Sequence, residues 1–206
     1  MSRARRLAAQ TPRLAVIFFV LLLAVPTGIV ALAEGAALLR LPFNLFLVDQ
    51  RLPGIFKLHM FASGASMLLI PLTIAVRRDR SWHKPLGRLT AAMVILGGLT
   101  ALPVALYSHS VAMARAGFFA QGVVWLTLIA LGVIAVRRKQ IATHQHLMLG
   151  MAAVASGAIW VRLATTVATS CHLPFEPIYG CVAWAGWMVP LALVWMFPPR
   201  LSLARA

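Results

Sequence analysis

The chain reads as an all-α polytopic membrane bundle of about six transmembrane helices, and three observations predict this. It is 61% hydrophobic with a mean hydropathy of +0.88, and only 11% of its 206 residues are Asp, Glu, Lys or Arg. A soluble domain carries roughly 25% charged residues. Six apolar stretches each reach the about 20 residues that cross a bilayer as a helix. None alternates with period two, so helices are favoured over a membrane barrel.

The expected spans are Leu14–Ala33, Ile55–Val76, Arg88–Tyr107, Ala116–Val136, Leu147–Val167 and Tyr179–Phe197. The first has a rival reading. Basic Arg3, Arg5 and Arg6 precede an apolar run that ends in Ala31-Leu32-Ala33, the pattern of a cleavable signal peptide. The run exceeds the about 7–15 residues of a signal core, which favours a retained helix. Between the first two spans, Pro42 and Pro53 bound an apolar patch, Phe43–Val48, expected to lie along the interface or to cap the bundle. No linker or composition shift divides the chain, so residues 1–206 read as a single integral membrane domain with a core at about 55–167.

Charge sets the expected orientation. Of the 19 Lys and Arg residues, 14 fall on the side of the N-terminus, around Arg3–Arg13, Arg77–Arg88, Arg137–Lys139 and Arg200–Arg205. The other five are Arg40, Arg51, Lys57, Arg115 and Arg162. Short basic loops stay in the cytoplasm, so both termini are expected there. The formal charge of +15 does not indicate nucleic-acid binding, because the basic residues sit between apolar runs and not on a polar surface. The inner basic loops are instead expected to meet anionic lipid headgroups.

An internal repeat organises the middle of the chain. Ile74-Ala75-Val76-Arg77-Arg78 recurs as Ile134-Ala135-Val136-Arg137-Arg138, each followed by a short polar loop and a histidine, His83 or His144. Spans 2–3 and 4–5 therefore read as two parallel hairpin repeats forming a four-helix core.

The histidines carry the first functional reading. His83 and His144 would lie at matched inner depth, with His59 and His109 as an outer pair. These are the candidate axial ligands of b-type haem, since imidazole binds iron through one nitrogen while the other is oriented by an acceptor. The geometry is strained: His83 and His109 are 26 residues apart. At 1.5 Å per residue that is about 39 Å, longer than the about 30 Å hydrocarbon layer. A small metal site from His83, His144 and His146 is a second option, short of the three or four well-placed ligands that zinc takes. The plainest reading is interfacial histidines that cap helix starts and meet headgroups.

Arg162 carries more weight than any single histidine. It lies within an apolar span, where a charge is costly unless paired or hydrated, with Glu34, Asp49 and Glu176 as candidate partners. Cys171 and Cys181 are the only cysteines, at the same end, and a disulfide there is possible in an oxidising compartment. No phosphate loop, HExxH, nucleophile elbow or CxxC is present, so no catalytic constellation supports an enzyme.

At His83-Lys84-Pro85-Leu86-Gly87-Arg88 and His144-Gln145-His146-Leu147-Met148 the sequence resembles the bacterial predicted membrane proteins of domain-of-unknown-function family 2306. Family members open one helix with His–basic–x–Leu–Gly–Arg and a later one with His–Arg–x–Trp–Met. The resemblance also matches His59, Gly117-Phe118, Trp125 and Arg162, and covers roughly Ile55–Val167. At the second motif, Gln145 and Leu147 stand where the family has Arg and Trp. The resemblance implies a multi-pass protein of the bacterial inner membrane and supplies no activity. The functional expectations are thus a redox-associated or haem-binding histidine core, or a small permease or accessory subunit with a polar centre at His59 and Arg162.

Overall fold

The computed structural model describes residues 21–197, which are helical throughout apart from short connections. The helices are α1 (Leu21–Gly35), α2 (Phe43–Arg51), α3 (Ile55–Ala75), α4 (Arg80–Tyr107), α5 (Ala112–Arg137), α6 (Ile141–Ala155), α7 (Gly157–Ser170) and α8 (Phe175–Met196). Five spans among the described residues are long and apolar enough to cross a membrane, with α6 and α7 forming one of them, Ile141–Ser170. The expected first span lies partly outside the described residues; its remainder is α1.

Two helix starts lie further upstream than expected. α4 begins at Arg80, eight residues before Arg88, because the Asp79 carboxylate accepts from the amides of Ser81 (2.9 Å) and Trp82 (3.4 Å) and so caps the helix. The hydroxyl and amide of Ser81 hold the Asp79 carboxyl below its ordinary value. α6 begins at Ile141, so His83 and His144 stand inside helices.

α4 packs between α3 and α5, and α8 lies against α5, α6 and α7. The central cluster draws Ile70 from α3, Val94 from α4, Trp125, Leu128 and Ile129 from α5, Met151 and Val154 from α6, and Trp187 from α8. Lipid tails are as apolar as these side chains, so the bundle gains from close packing and internal hydrogen bonds and not from leaving water. The last span is therefore integral to the core, although the expected core at about 55–167 leaves it out. α1 is seated directly on α3: a Cβ added to Gly64 would lie 2.6 Å from the Leu32 amide nitrogen and 2.8 Å from the Gly28 carbonyl. Ala31, in the signal-like tripeptide, is buried in this contact.

The apolar patch between Pro42 and Pro53 forms the short helix α2. Its Asp49 is buried and pairs with Lys57 of α3 at 3.2 Å.

The fifth span departs from the expected unbroken helix. Between Ala155 and Gly157 the helix opens at Ser156, whose hydroxyl turns back to the Ala153 carbonyl at 2.7 Å. The Val154 carbonyl accepts instead from the Gln121 side-chain amide of α5, at 2.9 Å. Irregular backbone at membrane depth survives where neighbouring groups satisfy it in this way. Gly157 makes room, since a Cβ there would sit 2.6 Å from Gln121 Nε2 and 3.1 Å from Trp187 Cβ.

Candidate functional site

Helix ends divide the bundle into a basic end and an end of mixed charge. Arg77, Arg78, Arg80, Lys84, Arg88, Arg137, Arg138 and Lys139 gather at the first. The polar centre lies within the half of mixed charge and is assembled from five helices.

His59 stands one turn into α3. Its Nδ1 is 3.0 Å from the Gly97 carbonyl of α4 and 3.4 Å from Ser63 Oγ. The carbonyl can only accept, so Nδ1 carries the proton and Nε2 is left as an acceptor. Gly97 brings three elements together, because a Cβ on it would meet Ser63 Oγ at 2.9 Å and Trp125 Cζ3 at 3.3 Å.

Arg162 stands on α7, six residues past the break. Its guanidinium makes one long hydrogen bond, 3.4 Å to the Ala158 carbonyl. Of the three expected partners, Asp49 is bound to Lys57 and Glu176 is exposed. Glu34 of α1 is buried and within electrostatic reach of Arg162, but among the described residues no carboxylate approaches Arg162 within the 4.0 Å of a direct ion pair. His59 and Tyr179 of α8 also lie within electrostatic reach of Arg162, and the Tyr179 hydroxyl stands beside Ser110. A half-buried guanidinium with five N–H donors thus has one carboxylate, Glu34, to balance its charge at a distance and one long hydrogen bond. Such an arrangement suits an acceptor that arrives from outside the chain.

The remaining histidines are placed differently. His83 Nδ1 lies 3.2 Å from the Thr73 carbonyl, and His144 Nδ1 lies 2.9 Å from the Gly132 carbonyl. Each therefore clips the start of its own helix to the end of the preceding one, the same device in both hairpins. His146 stacks on Trp195 of α8 with ring centroids 6.1 Å apart. No group of three or more His, Cys, Asp or Glu side chains able to hold a metal is gathered among the described residues, so His83, His144 and His146 do not form a triad. His109 is exposed in the turn after α4. His59 instead meets α4 at Gly97, ten residues before its end, about 15 Å lower at 1.5 Å per residue. His59 is thus joined to the Arg162 layer and not to His109. Cys171 and Cys181 are both free and exposed, so the possible disulfide is not formed.

The roles of Gln121 and of the Ser156-Gly157 pair escaped the sequence reading. Gln121 is the one glutamine within an apolar span, and Ser156-Gly157 is a small polar pair at the middle of another; both were visible signals of an interrupted helix. The indole N–H groups of Trp125 and Trp187 are buried without an acceptor among the described residues, which spacing could not have shown.

No curated protein and no solved structure matches the chain. The family described as predicted membrane protein (DUF2306) matches residues 56–197. That match runs through α8, past the Val167 limit of the sequence resemblance, and so agrees with the packing of Trp187 in the core. The chain belongs to this family of multi-pass membrane proteins.

Proposed function

We propose that the protein is a membrane-embedded binding protein, of the small-permease or accessory-subunit kind, whose ligand site is the polar centre at His59 and Arg162. The observation that supports it is the under-bonded Arg162 guanidinium beside a helix break, with Glu34, His59 and Tyr179 brought to it from three other helices. Interrupted spans whose freed backbone is satisfied by neighbours are a recurrent setting for sites at membrane depth. In this reading the basic end lies in the cytoplasm of a bacterial cell, against anionic headgroups, and the polar centre faces the opposite side.

Aqueous access tests it. In a Cys171→Ser/Cys181→Ser background, Ser63→Cys should react with a membrane-impermeant thiosulfonate added at the face of mixed charge. Val94→Cys, at a fully buried core position, should not. Equal inertness of both thiols would remove the hydrated site on which the reading depends.

A second reading, b-type haem on His59, His83, His109 and His144, draws on one feature. Three of these rings hold Nδ1 on a backbone carbonyl, which leaves Nε2 oriented as an iron ligand would be. The separate levels of His59 and His109 speak against the outer pair. A Soret band that disappears in His144→Ala would restore this reading, and a colourless protein from haem-replete cells would end it.

A further inference from the structure

On the basic side of the polar centre, α1, α3 and the α6–α7 joint enclose an apolar crevice of about 150 Å³. Leu21 and Ala24 of α1, Met67 and Ile70 of α3, and Ala155 and Ile159 around the break line it, with Ser156 as its polar edge. Leu21 at its rim is exposed on the face that meets lipid.

Helical spacing connects the crevice to the polar centre on all three walls. On α3, His59, Ser63, Met67 and Ile70 follow one another at steps of four, four and three, on one face. On α7, Ile159 precedes Arg162 by three residues. On α1, Ala24 and Glu34 belong to the same buried stripe, with Gly28 and Ala31 between them. Ser63 and Arg162 therefore stand about 5 Å, and His59 about 12 Å, beyond the crevice along their helices at 1.5 Å per residue. A crevice with so apolar a lining favours an apolar occupant.

The polar end decides what kind of head accompanies that tail. Arg162 offers N–H donors with one long bond among them. Glu34 already balances its charge, and His59 has committed its Nδ1 proton to Gly97. An anionic head would place a second negative charge beside buried Glu34, whereas an uncharged head rich in carbonyl acceptors satisfies the guanidinium without upsetting that balance.

We propose that the site takes a lipid-soluble amphiphile with an uncharged carbonyl-bearing head, the chemistry of an isoprenoid quinone, its head at Arg162 and its tail in the crevice. This rests on the polar centre being a ligand site. Entry is then lateral, from the bilayer past Leu21.

The test uses the full-length Ser63→Cys protein, free of other cysteines, in lipid nanodiscs. The probe is a fully substituted decylquinone, whose ring has no open position for thiol addition. It should slow thiosulfonate labelling saturably, by about tenfold or more at saturation. A quinone of the same head without the decyl chain should protect about tenfold less well at equal membrane concentration. Decanoate should not protect. Ala155→Phe, which fills the crevice, should abolish protection by decylquinone. If that variant does not fold, the tail-less quinone tests the crevice by itself. Brisk labelling that decylquinone leaves unaltered would overturn this inference while the polar-centre reading stands. Stronger protection by decanoate would replace the uncharged head with an anionic one, and equal protection by the tail-less quinone would remove the crevice from the site. Absence of labelling under every condition would instead defeat the proposed function itself.

Discussion

The second hairpin ends in a broken helix where the first ends in a continuous one. α4 runs 28 residues without interruption, whereas the span Ile141–Ser170 opens at Ser156. His83 and His144 begin these helices alike, each clipped through Nδ1 to the carbonyl of the helix before. With those histidines aligned, 61 residues apart, Ser156 falls on Ile95 and Arg162 falls on Ala101. The shared device holds a hairpin together, and the break, the guanidinium and the Gln121 cap belong to one copy alone. Function is best sought where the copies differ, because what they share is already explained by packing.

Exchanging features between the copies is the most direct way to break that comparison. Ala101→Arg would put a guanidinium in the unbroken copy without Glu34 and Tyr179 to receive it. It should cost about 3 kcal/mol, the penalty of an unmatched charge in a span, and sharply reduce the folded peak in size-exclusion chromatography. A variant that elutes like the parent would show that Arg162 needs no special surroundings. Gly157→Leu should lower thermal stability by about 1–3 kcal/mol, because its Cβ would press on Gln121 and Trp187. An unchanged melting temperature would mean that the break does not depend on that close approach. Gln121→Leu leaves the Val154 carbonyl without its partner and should cost about 1–2 kcal/mol, read by the same melt. The smallest effect concerns a feature outside the break. Lys139 closes α5 in a left-handed conformation, with φ 61° and the Gln140 amide on the Ala135 carbonyl at 2.9 Å. Lys139→Gly should therefore stabilise by about 1 kcal/mol, and a loss of stability would show that its charge matters more than its backbone.

The sequence was most legible where composition and charge decide the outcome. Apolar length placed the spans, and the repeated Ile-Ala-Val-Arg-Arg marked the two hairpins that share the histidine clip. Arg162 also stood out in the sequence, since an arginine within a span demands an explanation. Helix starts were read too late because Asp79 caps α4 by hydrogen bonds that hydropathy does not register. The break at Ser156 was missed for a related reason: small residues are helix-compatible in a bilayer, and only the Gln121 amide on another helix makes the opening stable. α8 looked peripheral because the repeat excludes it, although Trp187 completes the core.

Amide hydrogen exchange across the two copies, in lipid nanodiscs, bears on the central claim with least intervening argument. The claim is that the second copy is opened at Ser156 to form a hydrated polar centre around Arg162. Amides of residues 157–163 should exchange about a hundredfold faster than those of residues 96–102. Equal protection of the two segments would contradict it, since the span would then be closed to water at the level of Arg162.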